Sequence, residues 1–204
     1  MDTISGYKDR AIASLSGKWG TAALAVLIYC LIIYAGSFIT MIVFGDSAIG
    51  TVISGIWSLA CIPFGWGLAI YFLDISRENN PQFSQLFDGY KDVLRIILTY
   101  LCFAIAVGIG FLLLIVPGII IALMFSQAPF ILKDNTELGA FEVLSKSANM
   151  MKGHKMDLFL LGLSFIGWGI LAMLTMGLGF FLLFPYMYTS FAHFYDDLRK
   201  EYAM

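Results

Sequence analysis

From Ile96 to Leu132 no residue carries a charge. A helix that crosses a bilayer needs roughly 20 apolar residues, so this run is too long for one crossing and suits two. Val116-Pro117-Gly118 interrupts it, since proline removes a backbone donor and glycine frees the chain to turn. Two spans are predicted, 96–115 and 117–132, joined by a tight turn. The same border between polar and apolar sequence recurs elsewhere. The polar stretch from Ser145 to Lys155 gives way to Leu158–Phe184, again without a charge.

Composition agrees. The chain is 60% hydrophobic and 13% charged, whereas a soluble domain is about 25% charged. Charged surface is needed only where a protein meets water, so most of this surface must meet lipid. The 204 residues allow about six or seven spans with short connections.

The predicted order is regular. Ile4, Tyr7, Ala11, Leu15 and Trp19 fall at helical spacing and predict an amphipathic surface helix over 4–19. Thr21–Val43 crosses, Gly45-Asp46-Ser47 turns, and Ile49–Leu73 returns. Asn80 and Pro81 read as the cap and first position of a second surface helix over 81–95, its face formed by Phe83, Leu86, Phe87, Tyr90 and Leu94. Thr136 reads as the cap of a third, with Leu138, Phe141, Leu144, Ala148 and Met151 on its face. Leu158–Thr175 crosses, residues 176–179 turn, Phe180–Tyr195 returns, and Asp196–Met204 forms a polar tail. The predicted fold is therefore all-α: a polytopic helical membrane protein with about six transmembrane helices in three hairpins, each preceded by an amphipathic surface helix.

The charges set an orientation. All twelve Lys and Arg fall in the N-terminal segment, the two long loops or the tail, and Asp46 is the one charge on the opposite side. By the positive-inside rule both termini and both long loops are cytoplasmic. The acidic and basic residues preceding the first apolar run, and that run's length, do not fit a cleaved signal peptide.

A repeat also emerges within the single membrane domain 1–204. Gly17-Lys18, Gly89-Tyr90-Lys91 and Gly153-His154-Lys155 each precede a hairpin. Each return carries an early proline (Pro63, Pro117, Pro185) and ends near an aspartate (Asp74, Asp134, Asp196). Units of 1–74, 75–134 and 135–204 follow.

Few residues carry chemistry. Cys30, Cys61 and Cys102 lie in apolar runs without metal or redox spacing. No basic block or aromatic–basic interleaving suits nucleic acid. No nucleophile–base motif or phosphate loop occurs, and neither a catalytic residue, a metal site nor a cofactor is predicted. The candidate polar path is Gln127, Ser126, Thr189 and His193, which read either as its lining or as interhelical hydrogen-bonding groups. Lys18, Lys91, Arg95, Lys152 and Lys155 read either as lipid-headgroup contacts or as interfacial anchors.

The stretch Ser147-Ala148-Asn149-Met150-Met151-Lys152-Gly153-His154-Lys155, with Phe159–Trp168, Val116–Ile119, Pro185-Tyr186 and Phe194-Tyr195, resembles the bacterial membrane proteins of domain-of-unknown-function family 975. A fainter similarity is to the membrane portion of glycerophosphodiester phosphodiesterases. The first resemblance implies a multi-pass protein of the bacterial cytoplasmic membrane and transfers no activity. The second would transfer activity only with a hydrolase domain, for which the chain has no room. The expected function is a non-enzymatic membrane partner or scaffold, with the bilayer and a membrane protein or second copy as partners. The alternative is a transporter, channel or scramblase-like protein for a lipid or small neutral solute.

Overall fold

A computed structural model describes residues 1–202, so Ala203 and Met204 of the predicted tail lie outside the described residues. Those residues form ten α-helices and one 3₁₀ segment: α1 (Ile4–Leu15), α2 (Trp19–Phe44), α3 (Ala48–Ser76), the 3₁₀ segment (Phe83–Asp92), α4 (Val93–Leu113), α5 (Ile115–Phe125), α6 (Ala128–Asp134), α7 (Ala140–Met150), α8 (Lys155–Leu163), α9 (Ile166–Leu174) and α10 (Phe180–Tyr202).

Five helical stretches are long and apolar enough to cross a membrane: Trp19–Phe44, Ala48–Ser76, Phe83–Leu113, Ile115–Asp134 and Lys155–Leu174. This suits a multi-pass membrane protein. Their outer faces are bare hydrocarbon, with Leu112 88% and Leu174 76% exposed, a surface that water would not tolerate. The predicted sixth span, Phe180–Tyr195, is not among the five. It lies within α10, which carries Tyr, Thr, Ser and His among its apolar residues and buries Thr189, Ser190, His193 and Tyr195. Neighbouring protein, not lipid, covers much of this helix, so its sequence need not be uniformly apolar.

Helix α3 is the shared wall of two apolar cores. Trp66, Ile70 and Leu73 join the core built with α6, α7 and α10. Phe64, Leu68, Phe72 and Ile75 join the core built with α2 and Leu15 of α1. The α3 start is capped by Ser47, whose Oγ accepts from Gly50 N–H at 3.1 Å, and α1 is capped likewise by Thr3.

The three short polar elements depart from prediction in informative ways. In α1 the stripe Tyr7, Ala11 and Leu15 is buried as expected, but Trp19 begins α2. The second is a 3₁₀ run starting at Phe83, and Asn80-Pro81 precede it without capping it. It lies so close to α3 that a Cβ on Gly89 would collide with the Pro63 carbonyl, and one on Gly67 with the Leu86 carbonyl. Leu86 is its one buried large apolar side chain, and Leu94, beyond its end, is exposed. In the third, Thr136 is not the cap. The helix starts at Ala140, and Glu142 Oε2 accepts from Gly139 N–H at 2.8 Å. Its buried face is Val143, Leu144, Ser147 and Met150, continued by Met151, while Phe141 points outward. The predicted face was rotated because Ser147, a hydroxyl, has an inward task.

The break between 96–115 and 117–132 comes at Leu114, an extended residue. Pro117 then sits in the first turn of α5, where its missing N–H costs nothing. Two further breaks went unpredicted: Ser126-Gln127 divides α5 from α6, and Ser164-Phe165 divides α8 from α9.

Candidate functional site

The break at Ser126-Gln127 is held from the side by α7. Ser147 Oγ, fully buried, donates to the Met124 carbonyl at 2.9 Å and accepts from Gln127 N–H at 3.3 Å. One hydroxyl thereby satisfies a donor and an acceptor that a continuous helix would have paired. Gln127 Nε2 donates to Ser126 Oγ at 2.9 Å, and Ser126 Oγ donates to the Leu123 carbonyl at 2.7 Å. The Gln127 Oε1 atom is buried and meets no donor.

Gln127 and Ser126 both line an apolar cavity of about 450 Å³ between α3, α4, α5, α6, α8 and α10. Tyr100 and Tyr188 are the other hydroxyl-bearing residues that line it, and no lining residue is charged. Of the other predicted path residues, Thr189 is fully buried with its hydroxyl unpaired and lines neither this cavity nor the polar one at the bundle's end. His193 lines the polar one, of about 590 Å³, with Arg10, Ser14, Arg77 and Asp196. Ser126 and Gln127 thus share one cavity, His193 lies in another, and Thr189 in neither.

At that polar end Arg77 makes the densest contacts in the molecule. It grips Asp134 with both terminal nitrogens, at 2.8 and 2.7 Å. It also meets Asp196 Oδ1 through Nη2 at 2.7 Å and Nε at 3.1 Å. Asp134 takes further bonds from Tyr195 Oη at 3.0 Å and Arg199 at 2.9 Å. Lys133 approaches Asp74 at 3.7 Å. Residues just past α3, at the end of α6 and in α10 are thereby tied together. The hydrogen bonds it donates to Asp134, joined by those to Asp196, hold the Arg77 guanidinium well above the ordinary arginine value despite the cost of burial, so it stays charged at any physiological pH.

His193 looks like half of a nucleophile pair, because its Nε2 lies 3.0 Å from Ser14 Oγ. Its other nitrogen decides otherwise. Nδ1 faces Arg10 Nη2 at 3.3 Å, and a guanidinium can only donate. Nδ1 is therefore the acceptor and Nε2 carries the proton, which it donates to Ser14. A general base needs a free lone pair at Nε2 and a carboxylate at Nδ1, the reverse of this arrangement. Asp197 binds Arg10 at 2.7 Å instead, and that bond raises the Arg10 pKa further.

The predicted headgroup contacts divide too. Arg95 is consumed internally: it donates to the carbonyls of Leu132, Asn135, Thr136 and Leu138 at 2.6–3.1 Å and so holds the α6–α7 loop. Lys18 donates to the Asn79 carbonyl at 2.9 Å. Lys91 is exposed and pairs with Asp88. Lys152 is exposed and Lys155 half-buried. Lys8, not singled out from sequence, donates to the Ser164 carbonyl at 2.9 Å and lies 4.5 Å over the Phe165 ring, filling the α8–α9 break.

Residues 107–202, which include α5 to α10, the Ser147 staple and two of the three aspartates, match a protein family described as Protein of unknown function (DUF975). The match covers a little under half of the chain. The matched segment contains the whole Ser126-Gln127 break, whereas Arg77 and α1 lie outside it. No curated protein and no solved structure matches the chain, and the likeness to glycerophosphodiester phosphodiesterases finds no support.

Proposed function

We propose that this protein is a non-enzymatic partner or scaffold of the bacterial cytoplasmic membrane. In this reading it has six crossings, three hairpins each preceded by a short polar-side helix, three repeated units, and both termini in the cytoplasm. The observation that carries it is the Arg77 clamp. The ends of all three returning segments converge on it, which suits a fixed polar platform on a lipid-embedded base. The separation of Gln127 from His193 weighs against a polar conduit. The donor role of His193 Nε2 weighs against hydrolysis.

A second reading, handling of a lipid or small neutral solute, is favoured by one observation, the uncharged cavity beside Gln127. Native mass spectrometry of the gently solubilised protein separates the two. A second membrane protein or a second copy in fixed stoichiometry supports the partner reading. A bare chain that moves lipid or neutral solute across reconstituted vesicles overturns it in favour of the second.

A further inference from the structure

We propose that the cavity beside Gln127 binds one neutral single-chain lipid whose head carries a hydrogen-bond donor, such as a long-chain alcohol or a monoacylglycerol. This rests on the cavity behind the second reading, but binding requires no transport step, so absence of flux leaves it standing.

Three observations select this chemistry. The volume of about 450 Å³ lies in the range of about 300–1,000 Å³ usual for ligand pockets. Its wall is apolar and has no charged residue, so an ionised head would enter without a counter-charge, which costs several kcal/mol. Finally, three of the residues that line it carry polar groups without a partner. Gln127, 1% exposed, keeps an amide oxygen with no donor. Tyr100 and Tyr188 also line the cavity, and their hydroxyls make no hydrogen bond among the described residues. An unpaired buried acceptor asks for a donor. The tyrosines can both give and accept, which fits a hydroxylated head.

Depth agrees as well. Gln127 precedes the clamp residue Asp134 by two turns of helix, roughly 10 Å at 1.5 Å per residue. A phosphate head belongs at the polar end beside the clamp. A small uncharged head can sink to the level of Gln127.

The test uses the full chain in phosphatidylcholine nanodiscs, titrated with radiolabelled 1-monooleoylglycerol and, in parallel, with methyl oleate. Methyl oleate has the same chain, and its head accepts but cannot donate. Saturable binding of one monooleoylglycerol per chain is expected, with methyl oleate about tenfold weaker. Gln127→Leu lowers affinity for monooleoylglycerol about tenfold and erases the preference, yet melts only slightly below wild type, because the lost oxygen had no partner and the one bond removed, from Nε2 to Ser126 Oγ, is replaced by apolar packing. Tyr188→Phe shifts affinity in the same direction. Equal binding of the two lipids, or no saturable binding, overturns the proposal. So does a Gln127→Leu protein that melts well below wild type with unchanged affinity, which would mark Gln127 as structural.

Discussion

Ser147 and Arg77 show how much a single side chain can carry in this protein. Ser147→Ala leaves the Met124 carbonyl and the Gln127 N–H unpaired in a buried setting. A loss of about 2 kcal/mol follows, read as a lower melting temperature in detergent, whereas Ser147→Thr keeps the hydroxyl and recovers part of it. Arg77→Ala strands Asp134 and Asp196, whose side chains are only 10% and 15% exposed. About 3 kcal/mol is lost, and Arg77→Lys restores little because an ammonium cannot grip two carboxylates in forks. Unchanged melting in Arg77→Ala would contradict the clamp. The aspartates Asp74, Asp134 and Asp196 were legible in the sequence as the ends of three returns. Arg77 was not, because it sits in a loop and its partners lie 57 and 119 residues away. Ser147 was hidden for a different reason: a serine inside a polar run reads as solvated.

At the scale of elements, periodicity located the apolar helices well, because lipid demands long charge-free runs. It failed where backbone geometry decides. Gly17 and Gly153 have positive φ, at 74° and 89°, and turn a short helix into the next one. Gly89 stands at the matching place in the proposed middle unit but serves close approach to Pro63. Gly89→Ala therefore forces the 3₁₀ segment off α3, at a cost of about 1–3 kcal/mol, with a matching drop in melting temperature. The breaks at Gln127 and Ser164 carry no proline or glycine at the break itself. Each depends on a partner remote in sequence: Ser147 for the first, and Lys8, 156 residues away, for the second. Lys8→Ala removes a charge-assisted bond to the Ser164 carbonyl and costs about 1.5 kcal/mol. It should also speed amide exchange at residues 164–168, which mass spectrometry can read. Unchanged exchange there would mean that the break holds itself.

For the whole molecule, the sequence is a better guide to the solvent than to the assembly. Apolar runs identify lipid as the surroundings, and the paucity of internal charge follows. They could not say that Gln127 and His193 belong to different cavities, because that separation depends on how six helices surround α3 and α10. The central claim of the proposed arrangement is that all three hairpins return to one face, where Arg77 ties their ends. Site-specific labelling with a membrane-impermeant thiol reagent on intact cells tests this most directly, in a background with Cys30, Cys61 and Cys102 replaced by serine or alanine. Cysteine at Asp46 should label from outside, and cysteine at Lys146 or Lys200 only after the cells are opened. External labelling at Lys146 or Lys200, with Asp46 protected, would place the clamp's face on the wrong side; labelling of Lys146 and Lys200 from opposite sides would mean that the three ends do not meet at all.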